Sequence, residues 1–308
     1  MTLIAISQSS TNSGRRNDRG LALTSCLLAL FLTLATKPAI AAGKFSCRAG
    51  QGRTSKNAAG FRIKVLPNPD KVDEFDPACR ALVLDAKKNE IFSEDDWGFS
   101  IEVAGQDVNG DGIPDVVLKA YSGGAHCCWT YYVISLGSKP ALIKKFENNR
   151  DAVFFRDNDG GRIVMGTLDG AFDYFDGLCH ACTPFPDVYL RLDGTNLIDI
   201  SPEFAVNYDA IISENRKALA AEERRRLKAL TGKPSEAEPV REAVYKTLMI
   251  VLAYLYSGRE MQARKTLQEL WPPFDQERTW NLILETRRNG ILCYTRKDAT
   301  CGEDAAAN

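Results

Sequence analysis

The sequence predicts an all-β region of antiparallel sheets followed by an α-helical C-terminal segment. Two observations carry this. Between about residues 45 and 204, short β-rich runs alternate with Gly, Asp, Asn and Pro, the pattern of strands joined by tight turns. After Asn207 the chain becomes rich in Ala, Leu, Glu, Lys and Arg, with apolar residues at helical spacing,.

At the N-terminus a basic stretch with Arg15, Arg16 and Arg19 precedes an apolar run from Leu21 to Ala35. Ala39-Ile40-Ala41 then gives a small-x-small cleavage pattern. Residues 1–41 are therefore expected to be an export signal. The apolar run is shorter than the roughly 20 residues a spanning helix needs, and no later run is long enough, so the mature chain is expected to have no membrane span. "LTSC" ending at Cys26 resembles a lipoprotein cleavage box, but its cysteine lies inside the apolar run,. The expected location is a periplasm or the cell exterior. The formal net charge of -1 moves to -4 when Arg15, Arg16, Arg19, Lys37 and Asp18 leave with the signal, so no nucleic-acid partner is expected. What remains is expected to divide into a β-rich domain over 42–206 and a helical region over 207–308.

The strands are expected at 61–66 (FRIKVL), 80–85 (RALVLD), 99–105 (FSIEVAG), 115–121 (DVVLKAY) and 129–136 (WTYYVISL). Further strands are expected at 152–156 (AVFFR), 162–168 (RIVMGTL) and 187–192 (DVYLRL). Each is an alternating or wholly apolar run bounded by turn residues, and eight to ten strands are expected in all. Asp193-Gly194 is placed to turn a hairpin. Among the helices, 210–230 reads as one segment broken by TGKPSEAEP. An αα-hairpin follows, turning at Ser257-Gly258 and resembling a single tetratricopeptide-type pair. One pair cannot bury a continuous solenoid core, so it is expected to pack on its neighbours. A last helix follows Asp275 as N-cap and ends at Gly290.

"DVNGDGIPD" places side-chain oxygens at Asp107, Asn109, Asp111 and Asp115, positions 1, 3, 5 and 9 of a calcium loop. Gly112 fills position 6, and Ile113 at position 7 offers its backbone carbonyl. Hard oxygens at alternate positions suit Ca²⁺, but position 12, where an EF-hand carries Glu, is Leu118 within a strand. Aspartate at position 9 followed at once by "VVLKA" resembles the calcium loop of FG-GAP and VCBS-type repeats, the β-propeller blades known from integrin α-subunits. The resemblance covers about residues 99–124 and implies propeller-blade-like sheets, bound calcium and a role in adhesion or recognition. A degenerate second copy contains Asp157 and Asp159, but Gly161 stands where the third ligand should be. The β region is too short for a closed ring of four blades. More loosely, Asp107–Tyr132 resembles a group of secreted bacterial proteins in which such a loop runs into "YSGGAHCC".

Nine cysteines occur in the chain, and Cys26 lies within the export signal. The remaining eight, Cys47, Cys79, Cys127, Cys128, Cys179, Cys182, Cys293 and Cys301, are an even number in an oxidising compartment and are expected to form disulfides. Cys47 is expected to pair with Cys79, and Cys293 with Cys301. Cys127 and Cys128 are expected to bond across to Cys179 and Cys182, in a pairing that the sequence leaves open. A sharper alternative gathers His126, Cys127, Cys128, Cys179, His180 and Cys182 around zinc or copper, or makes Cys179-His180-Ala181-Cys182 redox-active.

The leading expectation is an exported, calcium-binding, disulfide-stabilised binding or structural module. An unknown protein or glycan is its partner, contacted through the 169–186 loop with its aromatic and acidic side chains. A metal- or thiol-dependent enzyme centred on the His/Cys cluster is the alternative.

Overall fold

Antiparallel pairing builds the β region, between neighbours in sequence except where the strand Cys47–Arg48 pairs with the strand Gly98–Gln106. The computed structural model describes residues 45–124, 128–157, 161–296 and Cys301. The export-signal segment, His126, Cys127 and Asp159 lie outside the described residues.

The first strands are β1 (Cys47–Arg48), β2 (Thr54–Ala58), β3 (Phe61–Pro67), β4 (Cys79–Leu84), β5 (Glu90–Asp96) and β6 (Gly98–Gln106). Then come β7 (Asp115–Tyr121), β8 (Trp129–Ser135), β9 (Ala141–Asn148), β10 (Ala152–Arg156), β11 (Ile163–Leu168), β12 (Asp187–Asp193) and β13 (Asn196–Asp199). They form three antiparallel sheets: sheet A in the order β1-β6-β7-β8-β9, sheet B in the order β2-β3-β4-β5, and sheet C in the order β10-β11-β12-β13. None of the three is closed.

Sheet A is the dividing layer. Its central strand β7 is buried on both faces, which explains why "DVVLKAY" reads as a nearly continuous apolar run. Val116, Leu118 and Ala120 face a core shared with Ile63, Val65, Ala81 and Val83 on the inner face of sheet B. Val117 and, from β8, Tyr131 and Val133 face a second core. This larger core runs through Met165 and Leu190 of sheet C into the helices.

The helices are α1 (Ala205–Ala218), α2 (Ala221–Lys228), α3 (Arg241–Tyr256), α4 (Glu260–Leu270) and α5 (Gln276–Asn289). The segment expected as one helix over 210–230 is two, because Leu219 and Ala220 adopt extended backbone between α1 and α2. The α3–α4 pair packs on its neighbours. Helix α3 buries Val244, Leu248, Val251, Leu252 and Leu255, and its core also takes in Tyr208 and Ile212 of α1 and Ile283 of α5. Residues 42–206 and 207–308 thus share one apolar core. No helix among the described residues is long and apolar enough to cross a membrane.

Helix α5 follows Asp275 and ends at Gly290, as expected. Asp275 makes no side-chain cap bond at α5. Its carboxylate instead accepts from Trp271 Nε1, Thr279 Oγ1 and Arg278, so it braces the turn before the helix. Gly290 ends α5 in an extended conformation. Its lack of a side chain is needed because a Cβ there would collide with the Asp169 carboxylate.

Disulfides join Cys47 to Cys79, Cys179 to Cys182, and Cys293 to Cys301. The expected cross-link from residues 127–128 to Cys179 and Cys182 is not formed. A 3-10 turn over His180–Cys182 brings the Cα atoms of Cys179 and Cys182 to 5.0 Å, within the range a disulfide requires.

Candidate functional sites at the two ends of sheet A

The acidic loop and the His/Cys segment flank the same strand on opposite sides. The loop enters β7 at Asp115, whereas residues 122–128 follow its last residue, Tyr121. Seven residues at about 3.3 Å each separate the two by roughly 20 Å. They are two sites.

The acidic loop is shaped by its own side chains. Asp107 accepts from Gly110 N (2.6 Å) and Gly112 N (2.9 Å), Asn109 Oδ1 from Asp111 N (3.2 Å), and Asp111 Oδ1 from Ile113 N (2.8 Å). These are the turns that short Asp and Asn side chains favour. The left-handed Gly112 follows Asp111 at φ +81, where a side chain would be strained. Asp115 lies at the floor of the loop and is fully buried. Its Oδ2 accepts from Val108 N at 2.8 Å, while its Oδ1 is buried without a hydrogen-bond partner.

Burial, reinforced by the charges of Asp111 and Asp107 against the pull of the Val108 and Asn109 amides, pushes the Asp115 carboxyl up to about 6. Among the described residues no three His, Cys, Asp or Glu side chains are gathered as a ready-made metal shell. The Asp107 and Asp111 oxygens are turned to loop amides. The donor set still fits a hard cation, because carboxylate oxygens hold spare lone pairs and one buried oxygen has no other ligand. Sheet C closes over the loop: Gly194 N, in the β12–β13 turn, donates to Asn109 O at 3.0 Å. Arg162, before β11, lies against Gly110 and donates to Leu192 O at 2.9 Å.

At the other end, aromatic rings cluster around the exit of β7. Tyr121 and Trp129 approach to 4.8 Å between centroids, and Phe45 stacks on Trp129 at 5.7 Å. Beneath them Lys119, only 1% exposed, pairs with Glu102 at 3.1 Å and Asp151 at 2.8 Å. Its ammonium lies 5.1 Å from the Trp129 ring centroid. Ser100 donates to Glu102. Two carboxylates and a ring face replace the water that burial takes from this lysine.

The 169–186 loop adjoins this network through Arg150, the neighbour of Asp151. Arg150 packs 3.7 Å from the Phe185 ring centroid and pairs with Asp173 at 3.4 Å. Asp173 also meets His180 Nδ1 at 2.8 Å. Tyr174 is 52% exposed, and both it and Asp176 adopt left-handed backbone, with φ 55 and φ 54. Such conformations in non-glycine residues cost on the order of 1 kcal/mol each and persist where neighbours enforce them.

The enforcing contacts come from the helical region. Asp176 is held by Arg278 at 2.8 and 2.9 Å, Lys233 at 3.3 Å and Ser235 at 3.2 Å. Burial alone would raise the Asp176 and Asp275 carboxyls, but the bonds from Arg278, with Lys233 on Asp176 and Trp271 and Thr279 on Asp275, hold both below their ordinary values.

Replacing Arg278 by Met is expected to cost roughly 1–2 kcal/mol, since a guanidinium 44% exposed is partly screened,. Depressed carboxylates contribute stability that is complete above about pH 4 and lost as pH falls through their folded values. The variant is therefore expected to show a shallower acid limb than the native protein. Thermal midpoints between neutral and strongly acid pH measure this, and parallel curves would remove Arg278 from that role.

The sequence expectations distribute as follows. Asp107, Asn109, Asp111, Ile113 and Asp115 share the loop. Cys179, His180 and Cys182 share one 3-10 turn, but the disulfide removes both thiolates from any soft-metal shell,. Cys128 immediately precedes β8. Sequence reading missed Lys119, Glu102, Asp151, Arg150 and Asp173. The one available signal was a lysine inside the apolar run of β7, a residue type rarely buried unless paired. No family model, curated protein or solved structure matches this chain.

Proposed function

We propose that this protein is an exported, calcium-binding, disulfide-stabilised binding or structural module. Asp107, Asn109, Asp111 and Asp115, with the Ile113 carbonyl, hold Ca²⁺. The ion supplies positive charge to the loop and locks it between sheets A and C. On this reading the four-stranded sheets are blade-like, and the resemblance to FG-GAP and VCBS-type repeats reflects a shared loop design. The surface offered to a protein or glycan partner is the 169–186 loop, with Tyr174 outermost and His180 and Phe185 behind it.

The observation that carries the reading is the orphaned Oδ1 of Asp115. A buried carboxylate oxygen without a partner costs several kcal/mol unless a cation meets it, and the oxygen-bearing positions before it have the spacing of a calcium loop. The three disulfides are compatible with an oxidising compartment,.

Native mass spectrometry of protein from an oxidising compartment, with and without chelator, tests the proposal. One calcium per chain, lost to the chelator, is expected. Bound zinc or copper, or a mass unchanged by calcium, would turn the search towards enzyme chemistry or towards an ion-free loop.

A further inference from the structure

The β3–β4 connection is braced by its own polar side chains, which bond back to its backbone, while its large apolar side chains stand out into solvent. Asp76 Oδ2 accepts from Val72 N (2.8 Å) and Asp73 N (3.0 Å), and Asp73 Oδ1 accepts from Phe75 N (2.9 Å). Lys71 Nζ donates to the carbonyls of Glu74 (3.2 Å) and Asp76 (2.9 Å). Asn68 Nδ2 donates to Pro77 O at 3.0 Å, and Arg80 ties Asp70 at 2.8 Å. This bracing leaves Val72 91% and Phe75 81% exposed. The loop is acidic, with Asp70, Asp73, Glu74 and Asp76 against Lys71. A rigid loop presenting an aromatic tip is the form of an interface anchor, because little ordering entropy remains to be lost on binding.

Its complement lies at the other end of the same sheet. The β2–β3 and β4–β5 turns frame a cleft of about 410 Å³, with Phe61 and Leu84 as apolar lining and Arg62, Lys64 and Lys88 against the single acid Asp85. The meander order puts these two turns at one end of sheet B and the β3–β4 loop at the other. The seven residues of β3 hold the loop and the cleft roughly 20 Å apart, so a chain cannot fill its own cleft.

We propose that copies of this chain associate head to tail, the Val72–Phe75 tip of one copy entering the Arg62/Lys64/Lys88 cleft of the next. The contact joins two different surfaces, so each copy keeps one of each free and the assembly grows linearly. It is small and electrostatically steered, which makes it weak and salt-sensitive.

Sedimentation velocity over a concentration series at low salt is expected to show a weight-average mass that rises with concentration and falls on adding salt. Phe75→Asp and Lys64→Glu are each expected to weaken association at least about tenfold while leaving circular dichroism and thermal unfolding unchanged. An equimolar mixture of the two variants retains one intact loop and one intact cleft, and is expected to form 1:1 dimers and nothing larger. A native protein that stays monomeric, a Phe75→Asp variant that assembles like it, or a mixture that yields no dimer would each overturn the proposal.

Discussion

Asp115→Asn is expected to reverse the order of stability between native and variant protein according to calcium. In chelator at neutral pH, the native chain carries a buried carboxylate with one oxygen unpartnered. The amide removes that charge while its oxygen still accepts from Val108 N. The variant should then be the more stable by roughly 1–3 kcal/mol. With calcium at about 100 times its dissociation constant, the native protein gains about 2.7 kcal/mol by mass action and the variant gains little. Urea midpoints of both proteins, with and without calcium, decide it. An equal calcium shift in the two would place the ion elsewhere, and no shift in either would leave the loop a plain turn.

Tyr256→Phe is expected to produce the largest loss of stability away from the loop. Tyr256 donates to Asp169 Oδ2 at 2.6 Å, deep in the seam between sheet C and the helices. Asp169 is fully buried, and its other donors are Ala171 N at 3.1 Å and Ile291 N at 3.4 Å. Deleting one hydroxyl leaves a fully buried carboxyl oxygen without its donor, at a cost of about 2–4 kcal/mol. Burial already raises the Asp169 carboxyl, with Tyr256 and the Ala171 and Ile291 amides pulling against it, so losing the tyrosine donor raises it further. A raised carboxyl favours folding below its unfolded value, and that contribution fades as pH rises. The Tyr256→Phe deficit should therefore shrink in acid. Asp169→Asn in the same background should recover part of the loss at neutral pH, because a neutral amide needs the donor less. A Tyr256→Phe protein within about 0.5 kcal/mol of the native one would show that the contact contributes little.

Much of the fold was legible where burial left a periodic mark. The runs at 115–121 and 152–156 are strands over those same residues; β7 is buried on both faces and β10 is mostly half-buried. The missed strands are polar. β2 (TSKNA) and β9 (ALIKKFEN) lie at sheet edges, where exposed side chains erase the alternation,. β5 (EIFSEDD) is a third edge, held by the register of its partner β4 rather than by its own apolar content. Among the described residues thirteen strands are present where eight to ten were expected.

The site was half legible. A run of Asx residues with a glycine at fixed spacing announces a local turn, since its side-chain hydrogen bonds are local. The Lys119 network and the Arg150–Asp173–His180 contacts join residues far apart in the chain, and no local pattern encodes them. Cys47–Cys79 and Cys293–Cys301 pair as expected, whereas the pairing of Cys179 and Cys182 was missed in the same way. Spacing allowed a local bond within Cys179–Cys182, but the choice between it and a long-range bond depends on backbone geometry that only the folded turn supplies.

The Cys47–Cys79 bond has a kinetic consequence. It ties β1, at the edge of sheet A, to β4 in the middle of sheet B, across 32 residues. Sheet B rests on the rest of the protein through one face alone, which makes it the natural unit to open first when the native state fluctuates. The bond acts as a leash on that excursion. The detached sheet stays at a high effective concentration beside its own docking face and recloses faster than it can wander to a neighbour. A compartment that keeps the bond oxidised thus makes opening a brief, reversible event, and one that reduces it leaves sheet B free to be trapped, cut or exchanged.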